Sequence, residues 1–284
     1  MQLISRFYTG DLLAAEQHFV SGEALLSDRG LRRYSGAART LCYASWNAWI
    51  TGRADEARAR THRAAATIED DAYARAVVQL MSSYLHVMLI EPDQAAILSA
   101  QGIATTAEHG FRQLAWWVRM CNGWAQAQLG HPDEGASLIR DTLTPYRTIG
   151  SLFLVPVFLT WLAEAQALGG ALAESLRTLD EALTLNPDER FWRPETLRVR
   201  GDIRCKQGDE ELAEADFRDA IALAREMSAK TWELRAATSL ARLRRDQGRV
   251  AEARGLLAPV YDWFTEGFNT ADLKHAKALL DELR

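Results

Sequence analysis

The side chains that could do chemistry are spread thinly along these 284 residues. Six histidines (His18, His62, His86, His109, His131, His275) fall far apart, and no H-x-x-x-H, H-E-x-x-H or C-x-x-C occurs. Ligand pairs at helical spacing are what a local metal site needs, so none is assigned. Cys42, Cys121 and Cys205 sit in separate apolar stretches and read as reduced thiols of a cytoplasmic protein. A nucleophile and its base could meet only across distant segments, so no catalytic residue is assigned. Glu195 and Arg198 stand three apart on one helix face, a spacing that gives either a salt bridge or a ligand-reading pair. No G-x-x-x-x-G-K-[ST] phosphate loop is present, and none of the four lysines (Lys206, Lys230, Lys274, Lys277) follows a glycine-rich loop. No cofactor is expected.

The bulk properties exclude further classes. A net charge of −5 gives no electrostatic footprint for nucleic acid. The densest basic stretch, Arg242, Arg244, Arg245 and Arg249, reads as a solvated helix face. No apolar run approaches the roughly 18–20 residues of a membrane helix. The longest, residues 152–162, is interrupted by Pro156, and the N-terminus lacks the basic and apolar regions of a signal peptide. A hydrophobic fraction of 48% with only 18 Gly and 7 Pro fits a folded helical chain.

The elements that would position any site follow from a repeat. A turn residue, usually glycine, precedes a small residue by five: Gly10/Ala15, Gly52/Ala57, Glu91/Ala96, Gly130/Gly135, Gly170/Ser175, Gly208/Ala213 and Gly248/Ala253. The small positions are spaced by 42, 39, 39, 40, 38 and 40 residues, a period that predicts seven copies of one unit. The glycine ends a first helix by taking the left-handed conformation. Acidic residues and Pro, as in Pro132-Asp133-Glu134, then suit the start of a second helix. Seven before the turn lie Ser45, Gly123, Ala163, Gly201 and Ala241, with Tyr84 breaking the pattern. Small residues on both helices mark where the pair crosses. The expectation is an all-α, tetratricopeptide-like superhelical solenoid forming one domain over 1–284: about seven antiparallel helix pairs, the first truncated, and a capping helix over 270–283.

The units resemble tetratricopeptide repeats, and that resemblance implies that their first helices line a concave groove. Counted from each small position, the groove-facing residues are Arg39, Cys42, Trp46 and Trp49 in the second copy, and Val78, Met81, Leu85 and Met88 in the third. The fourth offers Trp117, Met120, Trp124 and Ala127; the sixth Glu195, Arg198, Asp202 and Cys205; the seventh Arg235, Thr238, Arg242 and Arg245. The predicted partner surface is therefore apolar over Trp46, Trp49, Met81, Met88, Trp117, Met120 and Trp124, and charged over Glu195, Arg198, Arg235 and Arg242. It suits a protein or peptide segment with hydrophobic anchors and acidic residues. The competing reading is a tight superhelix in which the aromatics simply pack.

The C-terminal stretch over 232–274, with Trp232, Leu234, Arg235, Leu240, Leu243, Pro259, Trp263, Phe264, Gly267, Asn269 and Leu273, carries a family resemblance. It resembles the repeat region of large bacterial signalling ATPases of the STAND type, which carry class III adenylate cyclase or winged-helix domains. Phe191, Trp192, Glu195, Arg198 and Gly201 extend the likeness upstream. The resemblance implies a sensor or protein-interaction arm whose partners include upstream ATPase or cyclase domains. The catalytic parts of that family are missing here. The first helix, ending at Gly10, looks cut short, as if the chain begins inside a longer array. It would leave Leu3, Ile4 and Phe7 uncovered, which raises an alternative: self-assembly with another copy through that end.

Overall fold

The computed structural model describes residues 2–27, 35–68 and 71–284. Among them are fifteen α-helices, one short 3-10 turn (Glu23–Ser27) and no strand. Seven pairs follow in order: α1 (Gln2–Thr9) and α2 (Leu12–Gly22); α3 (Ser35–Ile50) and α4 (Ala54–Ala65); α5 (Ala72–Met88) and α6 (Pro92–His109); α7 (Arg112–Gln128) and α8 (Pro132–Thr148); α9 (Val155–Leu168) and α10 (Leu172–Thr184); α11 (Arg193–Gln207) and α12 (Glu210–Glu226); α13 (Lys230–Asp246) and α14 (Val250–Tyr261). Helix α15 (Ala271–Glu282) covers the last pair, and the Thr270 hydroxyl accepts from the Leu273 N–H to cap its start.

The turn inside each pair is closed by one residue of positive φ. It is glycine in six pairs, from 77° at Gly248 to 97° at Gly130, and Ile90 at 57° in the third. Measured from that residue, small side chains stand at −7 and +5 in the six pairs after the first, where Leu3 and Ala15 hold those positions. They pack backbone on backbone: the Ser45 hydroxyl donates to the Ala57 carbonyl at 2.6 Å and Ser175 to Ala163 at 2.7 Å. A Cβ on Gly135 would collide with the Gly123 carbonyl, and one on Gly201 with the Phe217 ring. The third copy corrects the sequence register by one residue. Its turn residue is Ile90 and its crossing pair is Ser83 and Ala95, joined by a hydrogen bond of 3.0 Å. Tyr84 therefore does not break the pattern; it occupies the groove position next to the crossing.

First helices pack on first helices of neighbouring pairs, while second helices form the outer layer. The superhelix then closes on itself. The Thr231 hydroxyl at the start of α13 donates to the Trp49 carbonyl near the end of α3. Arg235 donates to the Met88 carbonyl at the end of α5. Glu266 accepts from the Asp55 and Glu56 N–H groups at 3.0 and 3.2 Å, satisfying free donors at the start of α4. Gly52 fits beneath Trp263 and Phe264; a Cβ there would lie 2.6 Å from the Trp263 ring. The interior so enclosed is aromatic: Phe7, Trp46, Trp49, Phe158, Trp161, Phe191 and Trp232 are each 1% exposed or less.

Candidate functional site

That closure decides the fate of the predicted groove. Trp46 stacks on Tyr84 at 4.3 Å and its indole N–H donates to the Met81 carbonyl. Trp49 meets Trp232 edge-on at 4.8 Å. Met81, Met88, Met120 and Trp124 are buried, and the Trp124 indole donates to Glu164 at 3.1 Å. The expectation of an open apolar strip over these six residues is thus corrected. Phe7 and Tyr8 of α1, with Phe191 and Trp192 just before α11 and Trp232 at the start of α13, occupy the space a partner would need. Only Trp117 stays half-buried, beside Phe153 at 5.5 Å.

The charged half of the strip is also largely spent on internal contacts. Glu195 accepts from Arg198 at 2.7 and 2.8 Å and from Arg235 at 3.0 Å. Burial opposes its charge, but the two guanidiniums overcome that and hold its carboxyl below the usual range. Arg235 also donates to Asp272 at 2.6 Å and lies over the Trp49 and Trp232 rings at 4.9 and 5.1 Å. Arg198 pairs further with Asp202. Burial and then the negative charge of Glu195 push Glu164 up to about 7. Arg242 is exposed, with no ion pair among the described residues. It joins Arg198, Arg235, Ser239, Asp272 and His275 around a cavity of about 120 Å³. The two deep arginines there face three carboxylates, so the cavity presents little net charge.

A larger opening lies at the mouth of the superhelix. A depression of about 900 Å³ is lined by Ile4 and Arg6 of α1, Arg39 and Tyr43 of α3, Trp117 of α7 and Phe153 of the linker before α9. Arg6 pairs with Asp11 at 2.8 Å, whereas Arg39 is exposed with no ion pair among the described residues. The linker corner is held from below. Leu154 takes a left-handed φ of 59°, and its N–H donates to Glu189 at 2.9 Å. Asn186 donates to the same Glu189 oxygen, while the other oxygen is buried without a partner among the described residues. Burial pushes this carboxyl up to about 7 despite those donors. Two depression residues, Arg39 and Trp117, stand at groove positions of the repeat. Ile4 belongs to the N-terminal end singled out in the sequence as uncovered, whereas Phe153 was not legible as a site residue.

The interior offers little reactivity. Burial pushes the Cys42 and Cys121 thiols up to about 12, far from a ready thiolate. Among the described residues no group of three His, Cys, Asp or Glu side chains could hold a metal ion, and no helix is long and apolar enough to cross a membrane.

No family model matches the chain. A curated relative, an uncharacterized protein of Rhizobium meliloti (strain 1021), is 22% identical over 200 residues. The match takes in 69% of this chain but 19% of the relative, so the chain spans under a fifth of that protein's length. Solved structures share the architecture. A Rap protein complexed with Competence and Sporulation Factor superposes with a TM-score of 0.62 at 11% identity, over 95% of this chain and 78% of that one. NprR in complex with its cognate peptide NprX gives 0.62 at 13% identity, over 99% and 80%. The apo form of RapI gives 0.60 at 12% identity, over 99% and 100%. The fold is a tetratricopeptide-like solenoid. Identities this low carry the fold and no more.

Proposed function

We propose that this chain is a non-catalytic interaction scaffold that takes a segment of another protein into the depression beside α1. One observation carries the reading: the inner rings pack on one another and the Glu195, Arg198 and Arg235 charges are paired, whereas a large recess beside α1 holds Tyr43, Trp117 and Phe153 next to Arg39, which has no ion pair among the described residues. A concave recess in which rings (Tyr43, Trp117, Phe153) meet polar groups is a usual form of a recognition site. Solenoids of like fold hold peptides, as NprR does NprX. The resemblance of the ending to the repeat arms of signalling ATPases and cyclases, together with the much greater length of the curated relative, supports a regulatory arm of a longer cytoplasmic signalling chain. Self-assembly through α1 has less support, because Leu3 is buried at 6% exposure and Phe7 at 0%.

Display of random peptides against the full chain tests the docking reading. Selected peptides should bind the wild type and lose about tenfold or more with Trp117→Ala or Phe153→Ala, at unchanged helicity, as expected for central aromatic anchors. Failure to enrich any peptide, or binders indifferent to both substitutions, overturns it.

A further inference from the structure

We infer that the occupant of this depression is an acidic segment, one that sets an Asp or Glu side chain beside a bulky apolar one. The inference rests on the docking reading above and adds the chemistry of the partner. Arg39 and Tyr43 stand four apart on α3, so their side chains share one face. Tyr43 is 5% exposed and lines the recess. Its hydroxyl accepts from the Tyr8 hydroxyl at 2.9 Å, which leaves its own proton to donate, and no acceptor for it exists among the described residues. Arg39 beside it is exposed and has no ion pair among the described residues. The recess therefore offers the Arg39 guanidinium and one phenolic O–H side by side, and none of its described lining residues is acidic. An ionised carboxylate is the group that accepts from both. Ile4, Trp117 and Phe153 lie around the same recess and give the neighbouring side chain an apolar seat. A basic segment would meet Arg39 with like charge.

Two end-blocked, fluorescein-labelled eight-residue peptide libraries separate the possibilities. They are identical except that glutamate or lysine flanks the randomised apolar positions. The full-length wild type should retain the glutamate library about tenfold better or more, the scale of one lost or reversed charged contact. Arg39→Glu should abolish or invert that preference. Tyr43→Phe, checked for an intact melting transition, should weaken glutamate peptides roughly threefold to tenfold and leave lysine peptides unchanged. Equal retention of both libraries, with Trp117→Ala still weakening both, overturns this inference and leaves the docking reading standing. So does a preference that Arg39→Glu does not alter. Retention of neither library, alongside failure of the random display, overturns both.

Discussion

The two halves of the superhelix use one repeat register to opposite ends. At the position after the crossing residue, the first half carries Trp46, Tyr84 and Trp124, and the second carries Glu164, Asp202 and Arg242. The first half answers closure with rings packed on rings. The second answers it with guanidiniums clamped between carboxylates. The difference teaches that a solenoid's inner face is not by default a binding face. Once the superhelix is tight enough for α13 to reach α3, inner side chains become core, and each half solves its burial with the chemistry it has. Rings contribute through area and contact; ion pairs repay their desolvation only when every partner is present.

The largest effects should come from removing one member of each solution. Trp46→Ala and Arg235→Leu should each cost about 3–5 kcal/mol in denaturant unfolding, the first through a cavity and the second by stranding Asp272. The halves should then part company. Adding Asp272→Leu to Arg235→Leu should recover much of the loss, since a buried pair replaced by apolar residues is often neutral, whereas Tyr84→Ala added to Trp46→Ala should not. A charged half that cannot be rescued would mean that Arg235 acts mainly through its bond to Met88.

A smaller effect separates the crossing residue from its neighbour. Gly201→Leu forces side-chain carbons into the Phe217 ring and should cost about 1–3 kcal/mol. Asp202→Leu, half-buried and bonded only to Arg198, should cost less. Coincident melting curves would show that the register is misread.

The smallest is a change in pH dependence. The Glu189 carboxyl is raised to about 7, above its unfolded value near 4.5, so the folded state holds the proton more tightly. Its contribution is full at acid pH and is lost as pH rises through about 7. Glu189→Gln stays neutral and can keep both hydrogen bonds. It should flatten the decline in stability between about pH 5 and 8 and gain roughly 1–2 kcal/mol at pH 8. An unchanged pH profile would place the ionised form comfortably in the native state.

Most of the fold was legible because its logic is local. Gly52, Gly130, Gly208 and the small residues around them state the turn and the crossing in their own types. The third copy was misread by one residue because Ile90 takes the left-handed conformation without being glycine, and nothing in its side chain announces that. The seat of Trp46 and Trp49 was not legible. Whether a groove position faces a partner or Trp232 depends on superhelical pitch, which no single repeat encodes. Trp263 shows the reverse: it is 46% exposed, and its cover over Gly52 exists only because the superhelix closes.

Closure also bears on how the molecule comes apart. In an open solenoid each repeat touches only its neighbours, so end units fray and the array melts in pieces. Here Thr231 grips Trp49, Arg235 grips Met88, and Glu266 caps the start of α4 across 211 residues of chain. Fraying either end breaks contacts made by the other. Unfolding should therefore be all-or-none, slow to start and intolerant of truncation at either terminus, the behaviour of a hoop rather than of a stack.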